Sequence, residues 1–396
     1  MKWTKKTHEF DRIWLDMKIN CSQKIKYYLF GAGKSGDEWW SLINLFDDGG
    51  VAGYFDNSKS IIGNKKNGCK ILDITKYQHK KNNIIIVSVG EKYEKSICTQ
   101  LEQIGLKRNL DYYAGSEFRD LYFPIILLYY YNILYDDMVQ ISVTERCTLK
   151  CKHCAHTCPY VDYNNKTDLL LNEVKESADA YFSTFDYVNR FTLLGGEPLL
   201  YKELTDALIY IGERYRNRIR DFFITTNATV LPKEDLINVC KKYEVGFEIS
   251  DYRQAVPVIS DKVKQFINIL KESNVKYRIL NDRWIDLGFP YINNSENDAK
   301  RIFDLCGAPC HEVRKTRYYS CILARCAAEN IYSDEGEEYY VDIANSDDDT
   351  RKIVFEFIHG YCDKGYLKLC RHCRGLFGEN NIVVPGVQMS KGNEGD

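Results

Sequence analysis

The chain has almost no excess of charge of either sign: 54 lysines and arginines face 56 aspartates and glutamates over 396 residues, a formal charge of −2. That balance excludes the strong positive field by which proteins hold nucleic acid or an anionic membrane. Basic runs are short, as at Lys65-Lys66 and Lys80-Lys81, and read as solvated surface. No stretch reaches the ~20 apolar residues of a membrane-spanning helix. The nearest, Leu121 to Tyr135, is too short and too rich in tyrosine, and reads as an interdomain helix or strand packed on a core. The opening MKWTKKTHEFDRIW lacks the apolar h-region of a secretory signal. A cytoplasmic protein with no transmembrane segment and no nucleic-acid partner is expected. With 44% hydrophobic residues, general disorder is excluded as well.

Cysteine is what the chain has in plenty, with fifteen residues. In a sequence that reads as cytosolic, they point to metal or redox chemistry before a disulfide framework. The length predicts about two to three domains, and the elements suggest where they fall.

In the first part, Lys24–Phe30 predicts a strand, followed at once by Gly31-Ala-Gly33-Lys-Ser-Gly36 and a helical run through Trp39, Trp40 and Leu45. Val51–Phe55 and Asn83–Val89 predict further strands, and Glu91–Ile104 a helix. This beat predicts a parallel α/β sheet. A G-x-G-x-x-G turn between strand and helix lets a phosphate approach the helix N-terminus. Asp56, twenty residues after Gly36, is placed to meet a ribose. Gly31, Gly33, Gly36 and Asp56 are therefore candidate ligand-binding residues, with a scaffolding or docking domain as the alternative.

From Val139 the beat returns. Strands are predicted at Val139–Val143, Phe191–Leu194, Phe222–Thr226, Gly246–Ser250 and Lys276–Leu280. Helices are predicted at Leu171–Phe185, Glu203–Tyr215, Glu234–Tyr243 and Asp261–Ser273. Such a series suggests a full or partial barrel with its chemistry at the strands' C-terminal ends.

The first of these strands runs into Cys147, Cys151 and Cys154, a C-x3-C-x2-C loop. Three close thiolates suit iron–sulfur or zinc. A closed zinc site would need a fourth ligand, for which His153, His156 or Cys158 is at hand. Gly195-Gly196-Glu197-Pro198 follows the second strand, Thr225-Thr226-Asn227 ends the third, and Ser250-Asp251 ends the fourth.

Taken together, these motifs resemble the radical S-adenosylmethionine (SAM) superfamily over roughly half the chain. The resemblance implies a partial (β/α)6 barrel and a [4Fe–4S] cluster on Cys147, Cys151 and Cys154. It implies SAM bound by Gly195, Gly196, Glu197, Thr226, Asn227 and Ser250. Two departures stand out: Ala228 replaces a glycine of the relatives' Thr-Asn-Gly turn, and His153 replaces the aromatic residue many relatives carry.

From Phe303 the chain turns cysteine-rich. Cys306, Cys310 and Cys321 precede Cys370-Arg-His-Cys373, and the set can fold into a four-thiolate site, with a zinc knuckle as the alternative. It resembles the SPASM or twitch modules that carry an auxiliary [4Fe–4S] cluster, although Thr316 stands where those modules have glycine. Cys321, Cys370 and Cys373 are the expected ligands, with Cys306 or Cys310 as the fourth and Cys310 slightly favoured. Likewise LFGAGKSG, VAGYFDNSKSIIGNKKNGCKILD and IIIVSVGEKYEKSICTQLEQIGL resemble Rossmann-like domains of sugar-modifying enzymes.

The expected layout is a Rossmann-like domain over 1–120, a linker over 121–137, the barrel over 138–300, the auxiliary module over 301–385 and a disordered tail over 386–396. The resemblance implies reductive cleavage of SAM and hydrogen abstraction from a sugar, nucleotide-sugar or related small metabolite. An external donor such as flavodoxin or ferredoxin would supply the electron. A peptide-modifying maturase is the alternative. Trp284 to Gly288 and Tyr252 fit either a pocket lining or ordinary core packing, and no catalytic residue can be assigned.

Overall fold

The computed structural model describes residues 9–78, 80–161, 164, 168–280, 283–306, 310–334, 336–362, 364–377 and 381–389. Residues 9–133 form one compact unit, and the chain from Leu134 onward forms a second.

The first unit is built on β1 (Lys26–Phe30), β2 (Val51–Phe55), β3 (Lys65–Lys66), β4 (Cys69–Leu72), β5 (Asn83–Val87) and β6 (Tyr112–Ala114). Its sheet order is β3-β4-β2-β1-β5-β6, and every pairing except β3 with β4 is parallel. The five parallel strands thus reverse direction of growth beside β1, as in doubly wound sheets. Every residue of β5 is buried, which accounts for its unbroken apolar run. Helix Lys34–Phe46 turns Gly36, Trp39 and Ile43 inward at helical spacing.

Of the segment expected as a linker, residues 121–133 belong to this unit and 134–137 to the second. Pro124 opens helix Phe123–Tyr129, which buries Phe123 and Ile125 to Leu128. The Phe123 ring packs 5.9 Å from Trp39 and 6.4 Å from Tyr27. A run this apolar is more stable inside a core than spanning between two, so the boundary falls after Ile133.

In the second unit, β7 (Tyr135–Thr144), β8 (Tyr187–Gly195), β9 (Ile219–Thr226), β10 (Val245–Ser250) and β11 (Tyr277–Leu280) pair in parallel, in chain order. Helices Leu171–Thr184, Leu204–Tyr215, Glu234–Lys242 and Ser260–Glu272 join them. A short β12 (Trp284–Ile285) follows. The chain then returns to the far edge of β7 with β13 (His311–Arg314), β14 (Arg317–Tyr319) and β15 (Tyr340–Asp342). A last β16 (Ile382–Val383) pairs antiparallel with β12.

This differs from six consecutive β/α units. Among the described residues the run in chain order has five strands, and the sixth parallel neighbour, β13, pairs with the first. The cysteine-rich part therefore continues the barrel sheet rather than standing apart from it. Along β7, Val139, Ile141 and Val143 alternate with Gln140, Ser142 and Thr144, and all six are buried. One face thus packs on helices while the other is polar, lined further by Thr192, Glu248 and Glu312.

Candidate active site

Where the polar face meets the C-terminal ends of the strands lies a cavity of about 240 Å³. Cys147, Cys151 and Cys154 line it, together with Gly195, Gly196, Thr226, Asn227 and Ser250. The cysteine loop is tethered by Arg146, whose guanidinium donates to Asp168 at 2.9 and 2.5 Å and to the Leu200 carbonyl at 2.6 Å. Burial pushes the Cys147 thiol up to about 12 and Cys151 to about 11. Cys154 is lowered, chiefly by the Cys158 thiol and by backbone N–H groups that follow it. Among the described residues no three His, Cys, Asp or Glu side chains close around one metal ion. The thiols face a shared space instead of a single point.

The glycine pair brings strand end and cysteine loop into contact. A Cβ on Gly196 would lie 2.3 Å from the Arg146 carbonyl oxygen and 2.9 Å from the Cys147 Cβ. On Gly195, at φ +152°, it would lie 2.2 Å from the Thr144 carbonyl oxygen. In place of side chains, the backbone bonds directly: Gly196 N–H donates to Thr144 and Glu197 N–H to Arg146, both at 2.8 Å.

Glu197 differs from the other residues expected to meet SAM, because it is not among those lining the cavity. Its fully buried carboxylate accepts from Thr226 Oγ1 at 2.7 Å, Asn227 N at 2.9 Å and Leu199 N at 3.1 Å. It joins the ends of β8 and β9, and burial pushes its pKa up to about 7. Ala228 takes φ +58°, the left-handed conformation that glycine tolerates best, so the replacement keeps the turn at a steric cost. His153 lines the cavity with Nδ1 3.4 Å from Asp286 Oδ1, and burial lowers its pKa. Trp284, Ile285, Leu287 and Tyr252 are also lining residues.

A second cavity, of about 180 Å³, gathers Cys306, Cys321, Cys370 and Cys373. Burial raises Cys321 to about 12 and Cys373 to about 11, and each of these thiols feels the charge of Cys306. Cys306 lines this cavity, and the favoured Cys310 is not among its described lining residues. Thr316 sits in the β13–β14 hairpin, where the left-handed position is Lys315 at φ +54°, so no glycine is required at Thr316.

In the first unit, the Gly31–Gly36 loop joins β1 to helix Lys34–Phe46. A Cβ on Gly36 would lie 2.2 Å from the Gly31 carbonyl oxygen, while around Gly33 there is open space. Asp56 accepts from Ala32 N and Ser58 N, both at 2.9 Å, so its carboxylate braces the loop.

Sequence reasoning missed one segment at the larger site and, for Asp286 within the Trp284–Gly288 stretch that it did single out, missed the partners. Asp286 bridges His153 and Arg374, the latter next to Cys373, and so ties both cysteine sets to one carboxylate. Residues 386–389, expected to begin a disordered tail, form an antiparallel bridge with the cysteine loop through Cys151 and Gln388. Only spatial proximity reveals either; nothing in the local spacing signals it. Residues 390–396 lie outside the described residues.

A largely parallel α/β sheet thus collects three thiols, a glycine pair and polar strand ends in one cavity. The family described as "Radical SAM superfamily" matches residues 141–282, which supports that superfamily for the segment carrying the site. Proteins named GTP 3',8-cyclase are similar: that of Campylobacter jejuni is 33% identical over 125 residues, covering 30% of this chain and 36% of the relative. That of Campylobacter lari is 30% identical over 165 residues, covering 39% and 44%. The chain thus spans less than half the length of these curated relatives. Two solved structures align loosely. BtrN in complex with AdoMet and 2-DOIA has a TM-score of 0.41 at 17% identity, covering 63% of this chain and 98% of that one. Native anSMEcpe with bound AdoMet has 0.40 at 15%, covering 59% and 84%. The family and curated matches indicate an enzyme whose cofactors are SAM and a [4Fe–4S] cluster. Among the described residues no helix is long and apolar enough to cross a membrane.

Proposed function

We propose that the protein is a cytoplasmic radical SAM enzyme acting on a sugar, a nucleotide-linked sugar or a related small metabolite. The observation that carries this is the single cavity shared by Cys147, Cys151, Cys154, Gly195, Gly196, Asn227 and Ser250. The residues fit the cofactors: three soft donors face one space without closing it, and adjacent backbone is left bare of side chains by two glycines. When bound, the cluster and SAM supply a 5′-deoxyadenosyl radical able to abstract hydrogen. Cys147, Cys151 and Cys154 would hold the cluster. Gly195, Gly196, Thr226, Asn227 and Ser250 would hold SAM, and Glu197 would act through Thr226 and Asn227. Tyr252 and Trp284 would exclude water from the reacting centre.

Cys306, Cys321, Cys370 and Cys373 would hold an auxiliary [4Fe–4S] cluster, with an external flavodoxin- or ferredoxin-type protein as reductant. The first unit, read as Rossmann-like from its strand order and Gly31–Gly36 loop, would bind a nucleotide or nucleotide sugar. A small substrate is preferred to a peptide because the similar proteins are named for a reaction of GTP.

The test is anaerobic reconstitution with iron, sulfide and SAM under reduction. The wild type is expected to release 5′-deoxyadenosine, and the Cys147→Ala/Cys151→Ala/Cys154→Ala variant is expected to release none. Equal release from both overturns the assignment. Calorimetric titration of the full chain with nucleotide sugars and with peptides separates the two substrate classes.

A further inference from the structure

The end of the described chain is built onto the cysteine loop. β16 pairs with β12, and beyond it Gly386, at φ +79°, crosses so close to Tyr252 that a Cβ would lie 2.7 Å from its side chain. The strap then runs antiparallel to residues 150–152. Lys152 N–H donates to the Val387 carbonyl at 2.7 Å, and Met389 N–H donates to the Lys150 carbonyl at 2.8 Å. Between these bonds the Gln388 side chain turns inward. Its Oε1 accepts from Lys150 N–H at 2.7 Å, and its Nε2 donates to the Gly386 carbonyl at 2.6 Å and to Cys151 Sγ at 3.3 Å.

That network fixes which way the amide points. Flipping it would set the NH2 group against the Lys150 N–H, and Oε1 against both the Gly386 carbonyl and the sulfur. The contacts to Lys150 and Gly386 would both turn repulsive, as would that to a Cys151 thiolate, so an N–H donor is held toward Cys151. Cys151 is itself buried, where such a donor is poorly replaced by water.

We propose that Gln388 is a positioning residue for the first cluster: the strap fixes the Lys150–Lys152 backbone, and the Gln388 amide donates to the Cys151 thiolate. This rests on the reading that Cys147, Cys151 and Cys154 hold a [4Fe–4S] cluster. A hydrogen bond to a cluster thiolate stabilises the more electron-rich state preferentially, so it raises the reduction potential. The bond also reaches the site from 237 positions along the chain, which makes the strap part of the active site.

The experiment is an EPR-monitored redox titration of reconstituted wild type, Gln388→Met and Gln388→Glu, each in a Cys370→Ser/Cys373→Ser background so that only the first cluster is read. Methionine keeps the length and loses the donor, whereas glutamate keeps the acceptor for Lys150 and turns an oxygen toward the sulfur. Iron and acid-labile sulfide are expected to stay at the level of the Cys370→Ser/Cys373→Ser parent. The potential is expected to fall in Gln388→Met and further in Gln388→Glu. Cluster-bearing variants with unshifted potentials overturn the role of Gln388 alone. A wild type that takes up no acid-labile sulfide overturns the cluster reading and this one with it. Hydrogen exchange on the metal-free full chain reads the strap itself: ending the chain after Pro385 is expected to speed exchange at the Lys150 and Lys152 amides, and unchanged exchange overturns it.

Discussion

Thr226 Oγ1 donates to Glu197 Oε1 at 2.7 Å, and this bond joins the ends of β8 and β9 under the cavity. Glu197 receives two backbone N–H groups as well, from Asn227 and Leu199. Removing the carboxylate leaves buried donors without an acceptor, at about 1–3 kcal/mol each. Glu197→Ala is therefore expected to lower the urea midpoint of the metal-free protein severely. Thr226→Val removes one of the three donors to Glu197 and also strands the Ala228 N–H, which Thr226 Oγ1 accepts at 3.0 Å, so it is expected to cost about 1–3 kcal/mol, less than loss of the whole carboxylate. Similar losses in both variants would mean that Glu197 is not the hub.

The same carboxylate makes stability depend on pH. Its pKa rises from 4.5 to about 7 in the folded chain because it is buried. The folded state therefore holds a proton that the unfolded state has released, and stability falls as pH rises. The contribution is fully present below about pH 4.5 and is lost once pH passes about 7, a change of roughly 3 kcal/mol. Denaturation of the metal-free wild type and Glu197→Gln between pH 5 and 8 should show the wild type losing ground to the variant. Parallel pH profiles would contradict the assignment.

Cys306 and Cys310 give opposite expectations. Cys306 shares a cavity with Cys321, Cys370 and Cys373, and Cys310 does not line it. On the proposed two four-iron clusters the reconstituted wild type is expected to hold about eight irons per chain. Cys306→Ala is expected to fall to about four, and Cys310→Ala to stay near eight. Iron analysis reads this directly, and the reverse pattern would move the fourth ligand to Cys310.

Gly196 tests the close approach. An added Cβ meets the Arg146 carbonyl oxygen at 2.3 Å, a rigid backbone atom that cannot swing aside. Gly196→Ala is expected to cost about 1–3 kcal/mol and to displace the cysteine loop. Iron at the first cluster should drop while the auxiliary iron remains. An alanine variant with full iron would show that the loop can yield.

These expectations also mark what the residues themselves disclose. Strands such as Val51–Phe55 and Asn83–Val87 announce themselves because burial makes them continuous apolar runs. β13 does not, since His-Glu-Val-Arg looks like a solvated turn. Yet His311 and Glu312 are buried, with His311 Nδ1 2.9 Å from Asp136 and Arg325 2.6 Å from Glu312. Their partners lie far along the chain, so no local period reports them. The cysteine loop was legible because its three cysteines are close in sequence. Glu197 was read as a ligand residue because position in a motif says nothing about which way a side chain turns. Gln388 was missed for the same reason as β13.

Glu248 shows how such a buried polar group holds the barrel. It is fully buried on β10 and pairs with Arg190 of β8 and Arg278 of β11, with Arg278 Nε donating at 2.9 Å. Thr225 of β9 adds a donor at 2.8 Å, so one carboxylate ties four strands together. Glu248→Gln keeps the shape but leaves two guanidinium groups facing a neutral amide. Uncompensated buried charge of this kind costs about 3–5 kcal/mol. Arg190 is a quarter exposed and Arg278 more so, which lets water screen part of that cost. The expected loss in a urea titration is therefore nearer about 2–3 kcal/mol. The triple variant Arg190→Met/Glu248→Gln/Arg278→Met, which removes the charges together, should recover most of it. A triple variant weaker than Glu248→Gln would show that the arginines stabilise the sheet by contacts other than this carboxylate.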